Sequence, residues 1–389
     1  MYDFDRIINR RGTDCVKYDN IVPSGRPENT IPLFIADMDF AVAPEIVEAL
    51  HKAVDRQIYG YPIRGKEYFE AIAGWYRRRY GWELSEQWLL TTPGVVDALN
   101  LAVRAYTEPG DRVLILTPVY GPFGSVVKGN GRVIAECPLL YEDGHYSVDF
   151  AAFEEAIVRE GVKLFLLCSP HNPVGRVWTV DELTRMGEIC LAHGVTVVAD
   201  EIHSDFVFPD HKHTNFAAIS KAFADHSITC TAPSKTFNLA GLWNSNILIP
   251  SPELREKFAA EMACCNTPMP TIFAFEACKA AYNHGEAWLC ELIAYLAGNI
   301  AFVQSYCAEH LPLVKFAENE GTYLMWGDFS AYGTPEELEK KFFDGGIWMN
   351  RDADFNASPA GFYRINVATP RAVLQEAMER MKKILTAQA

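Results

Sequence analysis

Four short runs of consecutive apolar, β-prone residues constrain the fold of this 389-residue chain more than any other feature. They cover residues 112–117, 163–168, 195–199 and 228–231. Unbroken apolar runs of this length are typical of strands buried on both faces, as in a parallel sheet covered by helices. The helical pattern of residues 180–193 lies between two of these runs and predicts a βαβ unit. The sequence therefore predicts an α/β fold.

The remaining periodicity divides the chain into three predicted parts. Residues 1–43 are rich in turn formers and charges, and we expect an N-terminal arm that packs with a small domain. Residues 44–284 are predicted as a large domain with a mostly parallel sheet, and residues 285–389 as a smaller α/β domain. Individual elements predicted outside the four runs are helices from 44 to 50 and 66 to 80, a long helical stretch from 286 that leads to the segment 323–326, and helices at 335–344 and 370–385.

Charge and cysteine usage exclude several classes of partner. The chain has 35 Lys and Arg against 50 Asp and Glu, a formal net charge of −15. Nucleic-acid binding requires concentrated positive charge, so no nucleic-acid partner is expected. The ten cysteines are scattered, without a Cys-x-x-Cys or a Cys/His spacing that suits a metal, so no metal site is expected either. They indicate reduced thiols in the cytoplasm.

No targeting or membrane segment is evident in the sequence. The first six residues are charged and lack the apolar core of a secretory signal. No apolar run approaches the roughly 18 residues needed to cross a bilayer. The sequence therefore predicts a soluble, cytoplasmic protein without a membrane partner.

Polar residues follow the predicted strands at the points where a ligand site is expected. Ligands of open α/β sheets bind outside the carboxyl ends of the strands. Tyr120 follows the first run, Asn172 the second, and Asp200 the third. Ser234 and Lys235 follow the fourth. The sequence therefore predicts that these five side chains meet at one rim of the sheet.

This order of residues, together with Arg364 near the C-terminus, resembles the fold-type I aminotransferase superfamily (class I/II) of enzymes dependent on pyridoxal 5′-phosphate (PLP). Within it, the chain is most similar to the MalY/PatB-type cystathionine β-lyases, which are C–S lyases. The resemblance covers essentially the whole chain and implies a seven-stranded sheet in the large domain. The segments that carry the narrower match are Phe4-Asp5, 9–14 (NRRGTD), 36–40 (ADMDF), 59–61 (YGY), 200–205 (DEIHSD), 234–241 (SKTFNLAG) and 322–324 (TYL).

The resemblance implies roles for the residues around the cofactor ring. Lys235 would carry PLP as a Schiff base, which requires an amine of lowered pKa. Asp200 would supply the counter-charge of the ring nitrogen, and Tyr120 would stack on the ring face. Asn172 would donate to the phenolic oxygen. His203 occupies a position where relatives often have a Tyr facing the same oxygen.

The cofactor phosphate requires amide donors and preferably a helix N-terminus. By the resemblance these are Gly94, Val95 and Val96, where a helical run opens, together with the Ser234 hydroxyl. The wider superfamily often pairs the phosphate with an Arg eight residues after the lysine, but this chain has Trp243 there. The sequence leaves open which group replaces it.

The resemblance places Ala36, Tyr61, Asn172 and Arg364 at the substrate. Arg364 is the expected bidentate partner of the substrate carboxylate. Tyr61 resembles a tyrosine that reaches the cofactor of a neighbouring subunit, which implies a homodimer with shared active sites. A second departure is the polar segment 350–359, because relatives have a Gly-rich stretch there. Its Arg351 either pairs an acidic substrate or forms an exposed salt bridge.

Each candidate also has a structural interpretation when it is taken alone. Lys235 could be a surface lysine in a turn, and Asp200 a helix N-cap. Asn172 could form a β-turn, because Asn-Pro is a strong turn signal. His203 could be a buried structural residue and Tyr120 a core aromatic. The functional interpretation depends on finding these residues together.

The sequence leaves three functions open. The narrower resemblance implies a PLP-dependent C–S β-lyase that cleaves L-cystathionine, cystine or related cysteine S-conjugates to a thiol, pyruvate and ammonia. Lys235 would act as the general base at the substrate Cα. The first alternative is a class I/II aminotransferase, which uses the same residues. The second is a regulatory PLP-fold protein that acts through a protein partner.

Overall fold

The computed structural model describes residues 2–358 and 360–386. Its centre is a seven-stranded sheet, which confirms the predicted α/β class and the strand number. The sheet order is β1-β7-β6-β5-β4-β2-β3. β7 pairs antiparallel with β1 and β6, and the other pairings are parallel. The strands are β1 (Leu89–Thr92), β2 (Arg112–Thr117), β3 (Val133–Pro138), β4 (Leu164–Cys168), β5 (Thr196–Asp200), β6 (Ser227–Thr231) and β7 (Ser245–Leu248).

Three of these strands were not predicted, and each lacks the continuous apolar run that marks the others. β1 ends in two threonines, and β7 begins with Ser245 and Asn246. β3 lies at the sheet edge, where exposed and less exposed residues largely alternate. The four predicted runs coincide with β2, β4, β5 and β6 to within one residue at each end.

Helices cover both faces of the large sheet. Alternate residues of one strand pack into two separate cores: Leu114 belongs to one, and Val113 and Ile115 to the other. This explains why the strand sequences are apolar at every position. The longer helices are α1 (Pro44–Val54), α2 (Lys66–Tyr80), α3 (Val95–Tyr106), α4 (Gly121–Gly129), α5 (Phe150–Glu160), α6 (Val180–Ala192), α7 (Pro252–Cys264), α8 (Ile272–His284), α9 (Glu286–His310), α10 (Pro335–Asp344) and α11 (Arg371–Thr386).

A second, four-stranded antiparallel sheet lies in the C-terminal part of the chain. Its order is β8-β9-β11-β10, with β8 (Lys315–Phe316), β9 (Leu324–Asp328), β10 (Asn350–Arg351) and β11 (Phe362–Asn366). The N-terminal segment joins this region, because Ile31 and Pro32 pair in parallel with Ile347 and Trp348. This pairing places residues 33–40 beside the carboxyl ends of the large-sheet strands.

Helix α9 is the one described helix with the length and composition of a membrane span. Several of its residues are nevertheless buried against the protein, among them Trp288, Leu292 and Val303. Its buried Asn299 donates to the carbonyl groups of Val367 and Thr369 at 2.8 and 2.9 Å. These contacts are those of a core helix.

Candidate active site

The predicted strand ends meet around one cavity of about 570 Å³. Parallel strands present their carboxyl ends at one edge of the sheet, so the residues that follow β2, β4, β5 and β6 converge there. Ser234 and Lys235 lie in the short helix Pro233–Thr236 directly after β6. The predicted residues that line the cavity are Ala36, Gly94, Val95, Val96, Tyr120, Asn172, Asp200, His203, Ser234 and Lys235.

The amine of Lys235 is held at the cavity wall. Its Nζ donates to the Ala36 carbonyl at 2.6 Å, and the Tyr323 hydroxyl donates to the same carbonyl at 3.0 Å. Removal from water and, to a smaller extent, the nearby Arg364 together lower the pKa of Lys235 to about 8, against smaller opposing effects of Asp37 and Asp200. The free amine, which is the nucleophilic form, is therefore far more populated near neutral pH than in a solvated lysine.

A buried ion cluster fixes the segment that carries Ala36. The ammonium of Lys17 lies 2.9 Å from Asp39 and 3.3 Å from Asp37, and Arg10 pairs with the same two carboxylates at 2.8 and 2.6 Å. Burial alone would raise the pKa of Asp39, but Lys17 and Arg10 more than offset this and lower it. The ADMDF segment identified in the sequence is thus an anchor, which holds the carbonyl that Lys235 contacts.

Asp200 and His203 line the same cavity, and the charge of Lys235 acts on both. Asp200 is buried at the end of β5, and its Oδ1 accepts from the Ile202 amide at 3.2 Å. Burial raises the pKa of Asp200 to about 7, although that hydrogen bond and Lys235 both lower it. Burial, with Lys235 and Arg364, lowers the pKa of His203 well below its usual value, so its imidazole is neutral. A carboxyl group in this setting gains by pairing with a cationic ring nitrogen.

Arg364 is a buried guanidinium whose described acceptors are all neutral. One Nη donates to Asn172 Oδ1 at 3.0 Å, and the other donates to Asn350 Oδ1 at 2.9 Å and to the Phe34 carbonyl. Its Nε has no hydrogen-bond partner among the described residues. Its Cζ lies 4.9 Å from the centroid of the Phe355 ring. A buried cation without a carboxylate partner is suited to bind an anionic ligand.

The helix N-terminus of α3 opens into the same cavity. Gly94 is its N-cap, and the absence of a side chain leaves the first amides accessible to a ligand. Asp97, in the first turn, also lines the cavity, and burial raises its pKa. Trp243 lines the mouth and is 63% exposed. Lys235 is therefore the one Lys or Arg side chain among the described residues that line the cavity.

Three sequence candidates are absent from the cavity lining. Tyr61 is fully exposed in an extended segment after α1 and contributes nothing to the cavity wall. Arg351 pairs with Glu339 at the surface, which agrees with the salt-bridge alternative for this residue. Arg364 joins the site through Asn172 instead of through the cavity lining.

Sequence reasoning missed several lining residues because they have no chemical signature. Asn350 belongs to the polar segment that departs from the relatives. No sequence pattern in that segment predicted that Asn350 would contact Arg364. Asn350 contacts Arg364 and does not line the cavity. The lining residues that were missed are Ile35, Pro93, Asp97, Cys168, Ile202, Ala240 and Asn244.

One group of side chains away from this cavity has the geometry of metal ligands. It consists of His145, Glu318 and Glu320. However, Arg176 donates to Glu320 at 2.9 Å and lies 3.3 Å from the His145 Nε2. The guanidinium already supplies positive charge to this group, so its geometry is explained by an ion pair.

Comparison with known proteins identifies the family. The family model described as aminotransferase class I and II matches residues 28–381. The chain belongs to this family. The cystathionine β-lyase PatB of Bacillus subtilis (strain 168) is 42% identical over 386 residues, which cover 99% of this chain and 100% of that protein. The predictions of a fold-type I enzyme and of the C–S lyase branch are confirmed.

Two solved structures of relatives superpose over nearly the whole chain. A PLP-bound putative aminotransferase from Clostridium difficile 630 has a TM-score of 0.96 and 40% identity, covering 99% of this chain and 100% of that one. A PLP-bound C–S lyase from Staphylococcus hominis has a TM-score of 0.93 and 31% identity, covering 100% and 99%. The predicted cofactor is named for both relatives.

The charges around Lys235 give a prediction for its pKa in the cofactor-free protein. Because Arg364 disfavours the ammonium form and Asp200 favours it, Arg364→Met raises the pKa of Lys235 and Asp200→Asn lowers it, each by roughly one pH unit. Competitive acetylation over a pH series, followed by mass spectrometry of the Lys235 peptide, measures this pKa. The exposed Lys66 in the same digest is the internal reference. An unchanged pKa of Lys235 in both variants would contradict the electrostatic account.

Proposed function

We propose that this chain is a PLP-dependent C–S β-lyase that cleaves L-cystathionine or a related cysteine S-conjugate to a thiol, pyruvate and ammonia. The observation that carries the proposal is the convergence of Lys235, Asp200 and Arg364 around one cavity. The names of PatB and the S. hominis relative support the reaction type.

The residues present fit PLP. A lysine of lowered pKa, a buried carboxyl group and an open helix N-terminus lie in one cavity, as the aldehyde, ring nitrogen and phosphate require. Lys235 would hold the aldehyde carbon, Asp200 the ring nitrogen, and Asn172 the phenolic oxygen. The amides of Val95 and Val96 with the Ser234 hydroxyl would hold the phosphate. When bound, PLP draws electrons away from the substrate Cα.

The remaining steps of the reaction are assigned to side chains of the protein. Arg364 binds the substrate carboxylate and so orients the Cα–H bond. The amine of Lys235 takes the proton from Cα and holds it at Nζ. With PLP bound, Asp200 would keep the ring nitrogen protonated, and Tyr120 would pack against the ring face. Cleavage of the Cβ–S bond would release the sulfur as a thiolate, which would take the proton held at Lys235 Nζ, and water would convert the remaining three-carbon enamine to pyruvate and ammonia. In transamination the Cβ–S bond would stay intact.

We propose that the active unit is a homodimer in the cytoplasm. An exposed apolar segment supports the dimer, since Ile58, Tyr59, Tyr61 and Ile63 are 80, 55, 106 and 86% exposed. In a dimer, Tyr61 would reach the partner's cofactor. All ten cysteines are free, as expected in a reducing compartment. We propose the domain division 1–43, 44–284 and 285–389, with the arm joined to the small domain through Ile31–Pro32.

The purified PLP-loaded protein is expected to release pyruvate from L-cystathionine without any added keto acid. Lactate dehydrogenase and NADH measure this release continuously. Lys235→Ala, with the general base removed, is expected to lose at least about 1,000-fold in rate. Turnover that appears only when 2-oxoglutarate or pyruvate is supplied would instead identify an aminotransferase, and the proposal would fail.

Shared active sites predict complementation between two defective variants. Lys235→Ala and Tyr61→Ala are each expected to be impaired as homodimers. When the two are unfolded together and refolded as a mixture, half of the dimers are hybrids, and each hybrid has one intact site. The mixture then recovers about a quarter of the wild-type rate, as a two-fold symmetric dimer requires. A mixture no more active than the mean of its components would show that Tyr61 does not act across an interface.

A further inference from the structure

The polar segment 350–356, where this chain departs from the Gly-rich pattern, contacts the substrate-facing arginine. Asn350 on β10 lies directly opposite Arg364 on β11 in the antiparallel ladder. Its Oδ1 accepts from an Arg364 Nη at 2.9 Å, and its Nδ2 donates to Asp354 Oδ2 at 3.1 Å. The Asn350 amide therefore lies between a cation and an anion.

This arrangement fixes the orientation of the Asn350 amide. A guanidinium only donates hydrogen bonds and a carboxylate only accepts them. The amide oxygen must consequently face Arg364, and the amide nitrogen must face Asp354. A neutral acceptor orients the guanidinium without forming an ion pair with it, and the Asp354 carboxylate beyond it acts on Arg364 only as a more distant charge.

The segment is itself anchored at both ends. Asp354 Oδ2 also accepts from the Arg351 amide at 3.1 Å. The buried Asp352 accepts from the amides of Gly361 and Phe362 at 2.8 and 3.0 Å, at the start of β11. On the other side, Asn356 Nδ2 donates to the Val119 carbonyl at 3.2 Å, next to Tyr120. The position of Asn350 is thus set by backbone contacts.

We propose that Asn350 is a positioning residue that holds Arg364 ready for the substrate carboxylate without neutralising it, and that Asp354 acts through Asn350. This inference rests on the proposed function. Asn172 and the Phe34 carbonyl complete a set of neutral acceptors around the guanidinium. A carboxylate in place of any of them would occupy the charge that the substrate needs.

Asn350→Asp is the decisive substitution because it changes charge at nearly constant shape. In this variant a carboxylate would pair with the buried Arg364 and compete with the substrate carboxylate. The probes are L-alanine, which has a carboxylate and no leaving group on Cβ, and ethylamine, which has no carboxylate. Titration of the PLP-loaded protein with each, followed by visible absorbance, gives two dissociation constants.

The dissociation constant of L-alanine is expected to rise at least about tenfold in Asn350→Asp, while that of ethylamine stays within about twofold. KM for L-cystathionine is expected to rise more than kcat falls. Asn350→Ala, which removes the acceptor without adding charge, gives a smaller rise for L-alanine, about threefold to tenfold. The matched control is Asn283→Asp at an exposed position near the end of α8, where both constants remain at the wild-type values.

A double variant with the two side chains exchanged distinguishes a positioning role of Asn350 from a role in folding alone. The double variant Asn350→Asp with Asp354→Asn restores a hydrogen bond between the two side chains but leaves a carboxylate facing Arg364. We expect no recovery of L-alanine affinity. Recovery in the swapped pair, or an equal loss of L-alanine and ethylamine binding in Asn350→Asp, would overturn the inference. A wild type that binds neither probe would refute the proposed function instead.

Discussion

The parallel register of β2, β4, β5 and β6 is the constraint on which the site depends. Strands that run in one direction bring their carboxyl ends to one edge, so residues far apart in sequence meet without special local structure. Asp200 ends one strand, and Lys235 lies in the first helical turn after its neighbour. The antiparallel β7 lies between β1 and β6, so the same edge also receives Gly94 after β1. A slip of any strand would separate these groups.

Burying three ionisable groups at or next to one cavity has an energetic cost. Burial lowers the pKa of Lys235 and Arg364 and raises that of Asp200, which means that each charge is disfavoured there. None of these three charged groups forms a salt bridge with another described residue. Stabilisation comes from outside the cavity, from the large cores on both sheet faces and from the Lys17–Asp39 cluster. A cofactor and substrate with complementary charges would offset this desolvation cost. Their binding would therefore be favoured.

The residues at the rim of the cavity could be predicted from the sequence because they follow the strand ends and have distinctive chemistry. Apolar runs located four strands, and Tyr120, Asn172, Asp200 and Lys235 followed from their ends. Asn350 and Asp97 escaped notice, since an Asn in a polar loop and an Asp in a helical first turn have common structural uses. Strands β1 and β7 were not predicted because their Thr, Ser and Asn residues interrupt the apolar pattern. Tyr61 cannot be placed by one chain alone, as its proposed partner belongs to a second copy.

The most direct test of the account is the site at which the cofactor is attached. Reduction of the PLP-loaded protein with sodium borohydride, followed by peptide mapping, locates the covalent link. The account predicts one modified peptide, containing Lys235, and no such peptide in Lys235→Ala. A cofactor fixed to a different lysine in the wild type, or a wild type that takes up no PLP, would contradict it.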